Sequence, residues 1–184
     1  FTRFWLLITI TTIFLAACKK DNPATVPAPA PIFAPPDFGF KVVGYFPYYR
    51  TVSAVPDAKF KMTNVVNYAF FTVTASGLTL NSPTTFTAVV AKAKLNNAKI
   101  FMSVNGAAAD FKTATASATV RNSLIKNIMD NVRQYVLDGV DIDWEFPSTS
   151  DGTDIQFTAL MKELSDSLHT NGKFYLTAAI TPGK

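Results

Sequence analysis

Apolar and polar positions change their spacing several times along this chain, and each change predicts an element. Between residues 140 and 145 the two kinds alternate one by one, with Val140, Ile142 and Trp144 on one parity and Asp141, Asp143 and Glu145 on the other. Side chains on a strand switch faces at every residue, so this run reads as a β-strand with a carboxylate row on one face and an apolar face that packs under helices. Residues 41–46, 64–71, 99–104 and 174–180 are further short apolar runs of strand character. Between them the period lengthens. Phe86, Val89, Val90 and Ala93 recur at helical spacing behind Ser82-Pro83, with Ser82 expected to cap the helix and Pro83 suited to its first position. Leu124, Ile125, Ile128, Val132 and Val136 stripe a long amphipathic helix before the acidic run. Phe157, Leu160, Met161, Leu164 and Leu168 stripe another after it, ending near Gly172, with His169 as a charge partner for the helix terminus. Strands separated by helices of this length predict an α/β fold with a parallel sheet.

The pattern before residue 40 is of another kind. Residues 4–17 form an apolar run behind Arg3. It falls short of the roughly 20 residues that span a bilayer and fits the core of a signal peptide. The run ends Leu15-Ala16-Ala17-Cys18, which resembles the lipobox of bacterial lipoproteins. The resemblance implies cleavage after residue 17 and a diacylglycerol on Cys18, the only cysteine. Residues 18–39 are rich in Pro and Ala and read as a semi-rigid tether. The expected location is the bacterial cell envelope, outside the cytoplasm, with the membrane engaged through the lipid alone. A secreted protein is the alternative.

Composition narrows the rest. The chain has 184 residues, 48% of them hydrophobic, enough for an ordinary core. A complete eight-stranded α/β barrel takes about 250 residues. A chain that opens on Phe1 and stops soon after its fifth strand is therefore expected to be the first part of a longer barrel. Net charge is +4 and the basic residues are scattered, which gives no footprint for nucleic acid. One cysteine excludes an internal disulfide, and one histidine leaves no zinc cluster. No metal or other cofactor is expected, and the protein is expected to be monomeric.

A row of carboxylates on a half-buried strand is costly, because like charges and burial both return protons to the row and couple its titrations. Such rows are candidates for chemistry. Glu145 is expected at the C-terminal end of the strand, where catalytic groups of parallel barrels gather. Asp143 follows roughly 6.5 Å below it, close enough to raise its pKa and keep a proton for acid catalysis. A surface acidic cluster or a divalent-metal loop is the plainer alternative, though Ile142 and Trp144 do not fit the oxygen spacing of an EF-hand.

Asp138-Gly139-Val140-Asp141-Ile142-Asp143-Trp144-Glu145 resembles the DGxDxDWE signature of glycosyl hydrolase family 18, the chitinases. Gly44-Tyr45-Phe46, Asn67-Tyr68-Ala69-Phe70 and Leu176-Thr177-Ala178-Ala179 resemble the family's first, second and fifth strands. Ser103-Val104-Asn105-Gly106 stands where the family usually has SxGG, with Asn in place of one Gly. The resemblance spans residues 40–184 and implies a TIM (β/α)8 barrel, of which about the first five strands are here. The family's essential Tyr on strand six and Trp on strand eight have no counterpart in this sequence.

The resemblance also implies roles. Glu145 would protonate the glycosidic oxygen, Asp143 would orient the substrate's 2-acetamido group as the internal nucleophile, and Asp141 would share a proton along the row. Asp138, Ser103 and Gly106 would support the site, and Tyr45, Phe71 and Trp144 would touch sugar. The expected substrate is chitin or another β-1,4-linked N-acetylglucosamine oligosaccharide. An endo-β-N-acetylglucosaminidase acting on glycan cores and a non-catalytic, lectin-like chitin-binding protein remain open alternatives.

Overall fold

A computed structural model describes residues 37, 39–74, 77–170 and 172–181. The segment expected to be a signal peptide, Cys18 and nearly all of the expected tether lie outside the described residues. Five parallel strands lie side by side in the order β1 (Val43–Pro47), β2 (Val65–Thr74), β4 (Lys99–Gly106), β5 (Gly139–Asp143) and β6 (Tyr175–Ala178). A short strand, β3 (Gly77–Leu80), runs antiparallel on β2. The connections carry helices α1 (Asp57–Lys61), α2 (Pro83–Leu95), α3 (Ala108–Ala114), α4 (Ala118–Gln134) and α5 (Thr153–Thr170).

The sheet has two chemically distinct faces. Val66, Tyr68, Ile100, Met102, Val104, Val140 and Ile142 point into one apolar cluster with Phe86 and Val89 of α2, Ile128 and Val132 of α4, and Leu160 and Leu164 of α5. Residues of the other parity, Tyr45, Asn67, Phe101, Gly139 and Tyr175, stand opposite one another in register across all five strands. Above them a second layer runs Pro47, Ala69, Ser103, Asp141 and Thr177. Gly139 has a steric reason in this arrangement. A Cβ on it would sit 2.6 Å from the Tyr175 carbonyl oxygen and 2.9 Å from the Phe101 ring. Without it, those two rings stack across the strand at 5.8 Å.

One irregularity changes the parity of a strand. The β2–β4 register slips between Ala69 and Phe71, so Phe70 is an extra residue on β2. Such a bulge flips every residue that follows it to the other face. Before the slip the core residues of β2 are even-numbered, Val66 and Tyr68; after it they are Phe71 and Val73.

Several local expectations need correction. β3 and the short helices α1 and α3 carry no long periodic pattern, and β3 makes the sheet mixed at that point. Ser82 occupies the N-cap of α2, but its φ is 49° and its hydroxyl caps nothing. Its carbonyl instead accepts the Phe86 amide and the Tyr68 hydroxyl. Val136 lies beyond the end of α4 with φ 52° and is exposed, and Leu137 takes the buried position. β5 stops at Asp143, so Trp144 and Glu145 follow the strand and do not belong to it.

Candidate active site

β5 is flanked by β4 and β6, and its inward residues Asp141 and Asp143 meet side chains from both neighbours and from β1. Asp141 is 2% exposed and fully ringed by hydroxyls. Its Oδ2 accepts from Tyr45 Oη and Ser103 Oγ, each at 2.8 Å, and its Oδ1 accepts from Thr177 Oγ1 at 2.6 Å. Three donors from three strands offset the desolvation of a buried carboxylate. The effect on Tyr45 is reciprocal. Burial, and then the bond to Asp141 and its charge, push the phenol up to about 12, so Tyr45 stays a donor at neutral pH.

Asp143 lies one pleat further along the strand and is 8% exposed. Asn105 Nδ2 donates to its Oδ2 at 3.1 Å and to its main-chain oxygen at 3.3 Å. Burial raises its carboxyl above the ordinary range, the Asn105 bond works against that rise, and the charges of Glu145 and Asp141 add to it. Glu145, just beyond the strand, is exposed. Asp143 and Glu145 both open on a cleft of about 340 Å³ whose other walls include Tyr45, Tyr48, Tyr49 and Phe70. Tyr48 and Tyr49 meet edge to face at 5.4 Å on its rim, and both are exposed. A cleft of this size, with aromatic walls and convergent acids, suits a ring-shaped polar ligand. Among the described residues no group of three or more His, Cys, Asp or Glu is placed to hold a metal ion.

The remaining residues singled out in the sequence fall as follows. Ser103 bonds Asp141 directly. Gly106 is where β4 crowds β2, since a Cβ there would lie 2.9 Å from the Val73 carbonyl oxygen. Asp138 is at the far end of β5, where its carboxylate accepts the Ile100 amide at 2.9 Å and its amide donates to the Ile100 carbonyl.

Two expected sugar contacts are wrong. Phe71 is 0% exposed and packs edge to face on Phe86 at 5.0 Å, because the bulge at Phe70 turns it to the helix side. Trp144 is 1% exposed and stacks on Phe111 at 4.7 Å, on the apolar parity of the acidic run. Phe70 takes the place at the cleft that Phe71 was expected to hold. Thr177 and Asn105 were not singled out as site residues; the signal for Thr177 was its polar character at an inward position of an apolar strand.

With this geometry in place, likeness to known proteins becomes informative. The family model "Glycosyl hydrolases family 18" matches residues 41–184. The "Probable chitinase 2" of Drosophila melanogaster is 32% identical over 83 residues, which cover 44% of this chain and 17% of that protein. A class V chitinase from Nicotiana tobaccum, solved as a mutant in complex with NAG4, superposes with a TM-score of 0.67 at 19% identity, over 76% of this chain and 44% of its own. The chitinase-like agglutinin RobpsCRA from Robinia pseudoacacia gives 0.63 at 22% identity, over 74% of this chain and 45% of its own. The structural likenesses establish the fold, part of a TIM barrel of about five parallel strands. The chain spans less than half the length of these relatives. With the family model covering its whole described sheet, the chain belongs to family 18 of the glycosyl hydrolases.

Proposed function

We propose that this chain carries the acid half of a retaining, substrate-assisted glycoside hydrolase acting on β-1,4-linked N-acetylglucosamine, chitin or its oligomers first. The observation that carries the reading is the distribution of carboxyl groups around the cleft. Its acids, Asp143 and Glu145, come from the same strand end, while the opposite wall of described residues is aromatic. Direct retention would need a second carboxylate across the sugar, about 5–5.5 Å from the first. A nucleophile from the substrate removes that need. The bond order is then balanced within one sugar. Glu145 gives its proton to the glycosidic oxygen as the C–O bond breaks. The carbonyl oxygen of the 2-acetamido group attacks the anomeric carbon and closes an oxazolinium ring. Asp143 accepts the acetamide N–H and faces the developing positive charge. Water then opens the ring, losing its proton to Glu145. Asp141, its two oxygens tied to three hydroxyls, adds its negative charge beside Asp143.

The relatives named chitinase support the substrate class, and the agglutinin marks the alternative, sugar binding without cleavage. An endo-β-N-acetylglucosaminidase would use the same acids. The test is the substrate's own acetyl group. A chitin oligomer deacetylated at the sugar whose anomeric bond is cut should not be cleaved by the whole protein, and an oxazoline mimic should bind more tightly than product. Cleavage of the deacetylated oligomer at a normal rate would end the substrate-assisted reading. Binding of acetylated oligomers without any turnover would favour the lectin-like one. A high-mannose glycan as substrate separates the glucosaminidase.

The leader is part of the proposal. The lipobox-like ending at Cys18 supports an envelope protein anchored by lipid. A radiolabelled fatty acid should appear on the protein and vanish in Cys18→Ala; label that persists in the variant rules the anchor out.

A further inference from the structure

We propose that Asn105 is a positioning residue for Asp143, clamping that carboxylate across the ends of β4 and β5 in one orientation. It stands in Ser103-Val104-Asn105-Gly106, which resembles the family's SxGG with Asn in place of one Gly. Asn105 and Asp143 are register partners on neighbouring parallel strands, which puts both side chains on the inward face at the spacing of adjacent strands. One amide nitrogen reaches two oxygens of the same residue, the side-chain Oδ2 and the main-chain carbonyl. The orientation of the amide follows from the partners. Both are acceptors, so turning the amide over would set its oxygen against a carboxylate and a carbonyl. The two contacts fix Asp143 at both ends of its side chain, at the base and at one carboxylate oxygen. The second oxygen is not held by Asn105 and is left for a substrate N–H.

The clamp also bears on charge. Around Asp143 stand the carboxylates of Asp141 and Glu145 on its own strand end and the protonated Tyr45 on β1, with neutral Ser103 and Asn105 on β4 and Thr177 on β6. Burial and the two carboxylates work against ionisation; the Asn105 amide is what favours it. A glycine at this position would leave those opposing effects unanswered.

The kinetic consequence rests on the proposed hydrolysis, whereas the titration of Asp143 does not, so the test measures both. In the whole protein, Asn105→Gly removes the clamp, and Asn105→Asp keeps its shape while replacing the donor by another acceptor. The carboxyl resonance of Asp143, assigned with Asp143→Asn in 13C-labelled protein, should titrate at higher pH in both variants, and further in Asn105→Asp than in Asn105→Gly. The acidic limb of kcat on chitin oligomers should move up with it, and kcat at neutral pH should fall about tenfold with KM nearly unchanged. An unmoved Asp143 titration in both folded variants overturns the proposal, as does a limb that stays put while the titration moves in an enzyme that turns over. Should the titration move in a protein that cuts no oligomer, the clamp stands and the hydrolytic reading falls.

Discussion

On the helix side of β5, Val140 and Ile142, with Trp144 just beyond the strand, are covered by apolar neighbours; on the inner side, Asp141 and Asp143 are covered almost as deeply, by hydroxyls and an amide. The apolar face stabilises the fold outright, at about 1.5–3 kcal/mol for each large side chain buried. Its contacts are non-directional and would tolerate a replacement of similar volume. The inner face gains little stability, because each carboxylate must be compensated for the water it loses. Its bonds are directional, and they come from β1, β4 and β6. A strand that carries both faces in one alternating run therefore separates two tasks by parity. Substitutions on one parity should read out in stability and on the other in turnover.

The largest effect tests the inner side at its open end. Glu145→Gln keeps shape and loses the proton, so turnover should fall by about 10²–10⁴-fold. Because Glu145 is exposed, the melting temperature and the binding of chitin oligomers should hardly change. Turnover that survives in this variant would place the acid elsewhere and dissolve the comparison.

Next comes the apolar parity. Trp144 stacks on Phe111 and meets Phe157 edge to face at 6.1 Å, all under α5 and α3. Trp144→Ala should cost about 3–5 kcal/mol, read as a lower denaturant midpoint of the whole protein. Trp144→Phe should cost much less, since the indole N–H finds no partner among the described residues. If Trp144→Ala left the midpoint in place and raised KM for oligosaccharide, this residue would face sugar and parity would not divide the tasks.

That same residue shows how much of the molecule was readable beforehand. Alternation alone set Trp144 opposite the acids, and the structure agrees; the sugar contact assigned to it contradicted its parity. The acidic run, the long helices α4 and α5 and the parallel strands were legible because each repeats one spacing for long enough. Phe71 was not, because a single inserted residue at Phe70 inverts the count and leaves no mark in composition. β3 has four residues and no alternation that distinguishes it from a turn. The ring of hydroxyls around Asp141 was legible only in part. Tyr45, Ser103 and Thr177 each lie in a recognisable segment, but they stand 96, 38 and 36 residues from Asp141, and only the assembled sheet brings them together.

The smallest effect concerns the pH dependence of folding, and it bears on which side of the comparison Asp143 occupies. Its folded carboxyl is raised, by burial first, whereas the unfolded chain has the ordinary value. Between those two values the folded form holds the extra proton, so the contribution of Asp143 to stability is full below the unfolded pKa and is lost as pH rises through the folded one. Glu163, lowered by its Arg121 bond, and Asp151, lowered by Thr153 and Lys112, run the other way: their contributions are present above the unfolded pKa and fade as pH falls. A stability curve of the protein alone would therefore blur the Asp143 step. The difference between wild type and Asp143→Asn isolates it, because the other two groups are common to both. Chemical denaturation from mildly acidic to neutral pH should show the variant gaining on the wild type as pH rises, then running parallel to it once Asp143 is ionised. A difference that stays flat across this range would mean that the Asn105 bond fully offsets the burial of Asp143.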